Sequence, residues 1–101
     1  MSVRASLEGE GRELIIKVDG RFDFSAHQEF RDAYESISSD INSYVVDLNN
    51  TSYLDSSALG MLLLLRDHAG GDNADVKIVK CNDDVKKILT ISNFEQLFTI
   101  Q

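Results

Sequence analysis

Tyr53-Leu54-Asp55-Ser56-Ser57-Ala58-Leu59-Gly60 stands between a valine-bearing run, Tyr44-Val45-Val46-Asp47-Leu48, and the unbroken leucines Leu62 to Leu65. The first run is short, apolar and β-branched, which is the pattern of a buried strand. The second belongs to a stretch from about Ser56 to Ala69, long enough for a helix and stopped by Gly70-Gly71. Asp55 is therefore the predicted N-cap, a role worth about 1 kcal/mol. Ser56 and Ser57 fall in the first turn, where free backbone N–H groups and the helix dipole favour negative charge. A hydroxyl displayed there suits either modification by another enzyme or attack on a substrate.

Working outward, Val3 to Leu7 alternates weakly and meets a hairpin signal at Glu8-Gly9-Glu10-Gly11. Leu14-Ile15-Ile16-Lys17-Val18 reads as the returning strand. Asp19-Gly20 then predicts a turn toward Arg21-Phe22-Asp23-Phe24. Ser25 and Gln28 have capping-box spacing, with Phe30, Ala33, Tyr34 and Ile37 as an amphipathic stripe behind them. Ser38-Ser39-Asp40 is expected to end that helix. Asn49-Asn50-Thr51-Ser52 reads as a loop. Val76 to Val79 is a further strand, and Asp83 to Ile91 a helix capped by Asn82 or Asp83. Phe94 and Leu97-Phe98-Thr99-Ile100 close the chain as a short apolar segment, read as a last strand.

The order strand–strand–helix–strand–helix–strand–helix–strand gives one α/β domain over residues 1–101. It predicts a mixed four- to five-stranded sheet with helices packed mainly on one face. In such sheets sites gather where strand carboxyl ends meet helix amino ends. Asp23 and the Asp55 motif both lie at that kind of junction.

Composition narrows the function classes. A net charge of −7 argues against nucleic-acid or anionic-membrane partners. Cys81 is the single cysteine, so an internal disulfide is excluded and a reducing, cytoplasmic setting is expected. The N-terminus lacks a run of signal-peptide length, and Ala58 to Leu65 is too short to span a bilayer.

The chemistry-bearing alternatives are weak. A hydrolase elbow needs glycines two positions either side of its serine, and Leu54 and Ala58 flank Ser56 instead. His27 sits on the first helix and His68 three turns down the second, so no base is paired with the serine. Gly9-Glu10-Gly11 and Gly70-Gly71 lack the Lys-Ser/Thr of a phosphate loop. Asp23, Asp47 and Asp55 have no metal-ligand spacing, and neither a metal nor a cofactor is expected. Cys81 has no histidine near it in sequence and is read as a small semi-apolar residue. The leucine-rich helix is apolar around most of its circumference, so part of that surface is expected to stay open beside Ser56 as a partner face.

Val45-Val46-Asp47-Leu48, Tyr53 to Gly60, the leucine helix, Gly20-Arg21-Phe22-Asp23 and the ending Val85…Ile88-Leu89…Phe94…Leu97-Phe98 together resemble the STAS domains of bacterial anti-sigma factor antagonists. The resemblance runs in order along essentially the whole chain. It implies a single STAS domain acting as a non-enzymatic partner switch. In that family the serine after the motif's aspartate is phosphorylated by a GHKL-type kinase that often doubles as the anti-sigma factor. A PP2C-type phosphatase reverses the mark. Carried over, the acceptor is Ser56, chosen over Ser57 by the family pattern. Asp23, Asp55, Ser57, Leu59, Met61 and Leu62 are the expected partner contacts. Ala58 departs from the glycine that many members carry. Three other readings stay open: a stand-alone regulator of biofilm or motility with a different partner, a STAS scaffold without a phosphorylation cycle, and a small serine-dependent enzyme.

Overall fold

Antiparallel pairing of Ser2–Glu8 (β1) with Glu13–Phe22 (β2) begins the sheet, in unbroken register from Ser2/Asp19 to Glu8/Glu13. The computed structural model describes residues 2–37 and 40–101. After β2 come a 3-10 turn at Phe24–Ala26, helix α1 (His27–Glu35), β3 (Ser43–Asp47) and β4 (Thr51–Leu54). Helix α2 (Ser56–Ala69), β5 (Val76–Val79), α3 (Asp83–Ile91) and β6 (Thr99–Ile100) complete the fold. The sheet runs β1-β2-β3-β5-β6, with β4 paired to the far end of β2. Every pairing except β1·β2 is parallel.

Alternation decides which face is covered. Leu14, Ile16 and Val18 of β2, Tyr44 and Val46 of β3, and Val76 and Ile78 of β5 are buried and in register. Phe30 and Tyr34 of α1, Ala58, Leu62 and Leu65 of α2, and Val85 and Leu89 of α3 join them in one core. The opposite face, with Ile15, Val45, Lys77 and Val79, stays partly open. This is the mixed sheet with helices mainly on one face that the sequence predicts, enlarged by one strand.

That strand is β4, expected to be loop. Gly20 is opposite Thr51 and Arg21 opposite Tyr53, so Ser52 is an extra residue, a β-bulge. The bulge leaves Ser52 and Tyr53 both exposed between buried Thr51 and Leu54, which erases the alternation that marks a strand. Asp19-Gly20 likewise lies inside β2 and is no turn. Gly20 has φ +87, a conformation that a side chain at this bend would strain.

Two helix starts and stops also differ. Ser25 does not cap Gln28; Asp23 caps the 3-10 turn, and the Gln28 amide donates to Asp32 Oδ1 at 2.8 Å. α1 ends at Glu35 with Ser36 as its cap. Ser38 and Ser39, part of the expected stop, lie outside the described residues. Asn82 caps α3 as expected, accepting from the Val85 N–H at 2.8 Å. Gly70, at φ +123, ends α2.

Candidate functional site

Parallel pairing of β2 and β4 sets Phe22 opposite Leu54, so the next residues, Asp23 and Asp55, leave the sheet side by side. The Asp55 N–H donates to the Phe22 carbonyl at 3.4 Å, bridging the two exits. Phe22 and Leu54 are buried beneath them and fix the strand ends to the core. Arg21 and Tyr53, one residue earlier and on the other face, meet outside, with the guanidinium 4.3 Å from the ring centroid. An exposed cation–π contact of this kind contributes about 0.5–1 kcal/mol.

The two exits share one local design. Asp23 (φ −133, ψ −169) and Asp55 (φ −117, ψ −175) are both extended. Two residues on, a serine hydroxyl turns back to donate to the aspartate: Ser25 to Asp23 Oδ1 at 2.5 Å, Ser57 to Asp55 Oδ1 at 2.6 Å. The sequences are Asp-Phe-Ser and Asp-Ser-Ser. In each the middle side chain points outward: Phe24 is 71% exposed, and Ser56 is exposed at the first position of α2.

The backbone then diverges. Asp55 accepts from the Ala58 N–H at 3.1 Å, three residues on, and opens a fourteen-residue helix. Asp23 accepts from the Ser25 N–H at 3.0 Å, two residues on, and opens only a 3-10 turn. The Ser25 hydroxyl and then the Ser25 N–H hold the Asp23 carboxyl below its ordinary value against desolvation, with Arg21 adding a lesser pull in the same direction. Asp55 is the predicted cap. Ser57 is half-buried with its hydroxyl committed to Asp55, whereas the Ser56 hydroxyl has no hydrogen-bond partner among the described residues.

Two expected contacts require correction. Met61 and Leu62 are in the core, not at the surface. α2 buries Ala58, Met61, Leu62 and Leu65, an i, i+3, i+4, i+7 stripe that its nearly uniform apolar sequence conceals. The open apolar positions are Leu63, 38% exposed, and Leu64, 51% exposed; Leu59 is half-buried against the core. Arg21, Phe24 and Tyr53 also belong to the rim, beyond the contacts expected from the sequence. The repeated Asp-x-Ser pattern was the available signal for Phe24.

Other chemistries find little support in the geometry. His27 stacks on Phe24, with centroids 5.4 Å apart. His68 packs against Tyr34 and Tyr44, twelve residues along α2 from Ser56, about 18 Å by helical rise. Burial pushes the Cys81 thiol up, opposite to the shift of an activated nucleophile. Among the described residues no group of three or more His, Cys, Asp or Glu is placed to hold a metal. No helix among them is long and apolar enough to cross a membrane.

Residues 5–99 match the family described as Mlab, STAS domain. A STAS-domain containing protein of Pseudomonas aeruginosa (strain UCBPP-PA14) is 61% identical over 100 residues, covering 99% of each chain. Two solved structures show the same fold. An anti-sigma factor antagonist from Mycobacterium paratuberculosis aligns with TM-score 0.75 and 16% identity, covering 98% of this chain and 85% of its own. The Bacillus cell fate determinant SpoIIAA in its phosphorylated form aligns with TM-score 0.71 and 12% identity, covering 99% and 91%. At those identities the likeness is one of fold.

Proposed function

The chain belongs to the STAS domain family, and on that premise we propose that it is a non-enzymatic partner-switching regulator of the anti-sigma factor antagonist type, controlled by phosphorylation of Ser56. The observation that carries this reading is the contrast between neighbouring hydroxyls. Ser57 is tied to Asp55 at 2.6 Å, while Ser56 stands exposed at the helix start. A kinase can approach Ser56 without breaking a cap.

The physical consequence is a change of surface with the fold retained. A phosphate adds about −1.5 to −2 charge, and at a helix N-terminus the dipole accepts it. Asp23 and Asp55 already stand at this rim, so the phosphorylated rim becomes strongly acidic. Docking by the unmodified protein uses that rim: Asp23, Phe24, Tyr53, Asp55 and Ser57, with Leu59, Leu63 and Leu64 along the exposed side of α2. The partner is a GHKL-type kinase that doubles as the anti-sigma factor, with a PP2C-type phosphatase to reset the switch. The protein works in the cytoplasm.

Phosphosite mapping on protein isolated from its own cells tests the proposal. The wild type is expected to carry one phosphate by intact mass, Ser56→Ala none, and Ser57→Ala still one. Ser56→Asp should lose the partner that Ser56→Ala retains, with both variants folded. A phosphate that persists on Ser56→Ala would overturn it, as would equal partner binding by both variants.

A further inference from the structure

The edge strand β1 carries a charge pattern that its own hairpin satisfies only in part. In the β1·β2 register Arg4 is directly opposite Lys17, and Glu8 directly opposite Glu13. Like charges placed opposite each other on a sheet face are unfavourable. Reversing both β1 charges would match each to the residue directly opposite, but at Arg4 it would break a contact with Asp19 of the same hairpin, so Glu8 is the charge that the hairpin leaves unexplained. Arg4 finds relief in Asp19, at 3.1 Å. Glu8 has no ion pair among the described residues.

The free edge has a defined hydrogen-bonding phase. Even-numbered residues of β2 direct their backbone groups away from β1: the Gly20 N–H donates to the Asn50 carbonyl at 2.9 Å, and the Val18 carbonyl accepts from Thr51 Oγ1 at 2.7 Å. Their β1 partners, Val3, Ala5 and Leu7, therefore point their backbone groups outward. The Val3 N–H confirms the phase by donating to Glu29 Oε2 of α1 at 3.4 Å. Ala5 and Leu7 remain as the open rungs. Neither proline nor bulge interrupts the strand, and Leu7 leaves 42% of its surface exposed. Long regular edges of this kind are usually blocked.

We propose that β1 is a self-association edge, pairing antiparallel with β1 of a second copy about a twofold centred on Ser6. That register places Ala5 opposite the second copy's Leu7, two outward-pointing residues that exchange hydrogen bonds, and the twofold repeats the rung. It also places Arg4 opposite the second copy's Glu8, twice, on the face where the hairpin sets like charges together. Centring on Arg4 would oppose two arginines, and centring on Ala5 would leave both charges opposite serines. Only the Ser6 register satisfies hydrogen-bond phase and charge together. The shared ladder is short, so the dimer is weak and dependent on concentration.

Sedimentation of the full chain from roughly 10 µM to 1 mM tests the proposal, a range suited to weak association. The wild type should pass from monomer toward dimer. Ala5→Pro should stay monomeric with its far-UV spectrum unchanged, because the lost N–H points away from β2. Arg4→Glu and Glu8→Arg should each weaken association by roughly tenfold, and the double variant should restore it. The double variant relieves both directly opposite like-charge contacts but gives up the Arg4–Asp19 pair, so its far-UV spectrum is recorded alongside to separate misfolding from lost association. A wild type that stays monomeric throughout overturns the proposal. So does a dimer indifferent to Ala5→Pro, or a double variant no better than the singles.

Discussion

Asp23-Phe24-Ser25 and Asp55-Ser56-Ser57 are neighbouring exits from one parallel strand pair, built alike and used differently. In each, an extended aspartate draws back the hydroxyl two residues on, and the side chain between them is pushed into solvent. Display of the middle residue is thus a property of the turn, whatever side chain occupies it. The difference lies in what the aspartate does with the backbone. Asp55 satisfies an N–H of a long helix whose buried stripe anchors it, whereas Asp23 closes a three-residue turn. One exit is a capped foundation presenting a hydroxyl, the other a lighter turn presenting an aromatic ring.

The largest blow to this pairing comes from beneath it. Phe22→Ala removes the fully buried ring under the Asp23 exit and should cost about 3–5 kcal/mol in chemical denaturation, with both exits loosening together. A cost under about 1 kcal/mol would mean that the exits do not share their support. Next in size is the cap contrast. Asp55→Ala should lose about 1 kcal/mol of stability, and Asp23→Ala clearly less, because only the former uncaps an α-helix. Equal losses would erase the distinction drawn between the two.

A subtler probe is the titration of Asp23. Its folded carboxyl lies below the ordinary value, so its contribution to stability is present above the unfolded carboxylate range. That contribution is lost as pH falls below about 4, through the folded value. Ser25→Ala removes the strongest cause and should move the Asp23 midpoint up toward normal in a carboxyl-detected NMR titration. An unmoved midpoint would show that the hydroxyl does not do at this exit what the geometry says. Smallest is Ser56→Ala, expected within about 0.5 kcal/mol of the wild type in thermal unfolding, since that hydroxyl holds nothing in place. Ser57→Ala should cost more, having lost a bond to the cap.

The sequence made some parts of this architecture legible and hid others, for identifiable reasons. The Asp55 cap, the Gly70 stop, the Asn82 cap and strands β3 and β5 follow from local signals that the chain satisfies within a few residues. β4 was hidden because its pairing partner lies some thirty residues away and the bulge at Ser52 breaks its alternation. Asp19-Gly20 looked like a turn because glycine serves turns and strand bends equally well. The depth of Met61 and Leu62 could not be read from α2, since leucine follows leucine there. Which stripe goes inside depends on where the sheet and α1 lie. The aspartate and its serines were legible as a motif, but that Ser57 is engaged and Ser56 is not is a matter of one rotamer and one 2.6 Å bond.

The bulged β2·β4 pairing also fixes when the rim exists at all. Residues 20–22 and 51–54 are distant in sequence and are joined across α1 and β3, so the rim is a feature of the folded chain. An unfolded or half-made chain carries Ser56 as a bare serine, with Phe24 and Asp23 elsewhere in space. A partner that reads both exits at once therefore recognises only finished molecules. Under the proposed switch, the seam that positions the serine would confine recognition to folded copies.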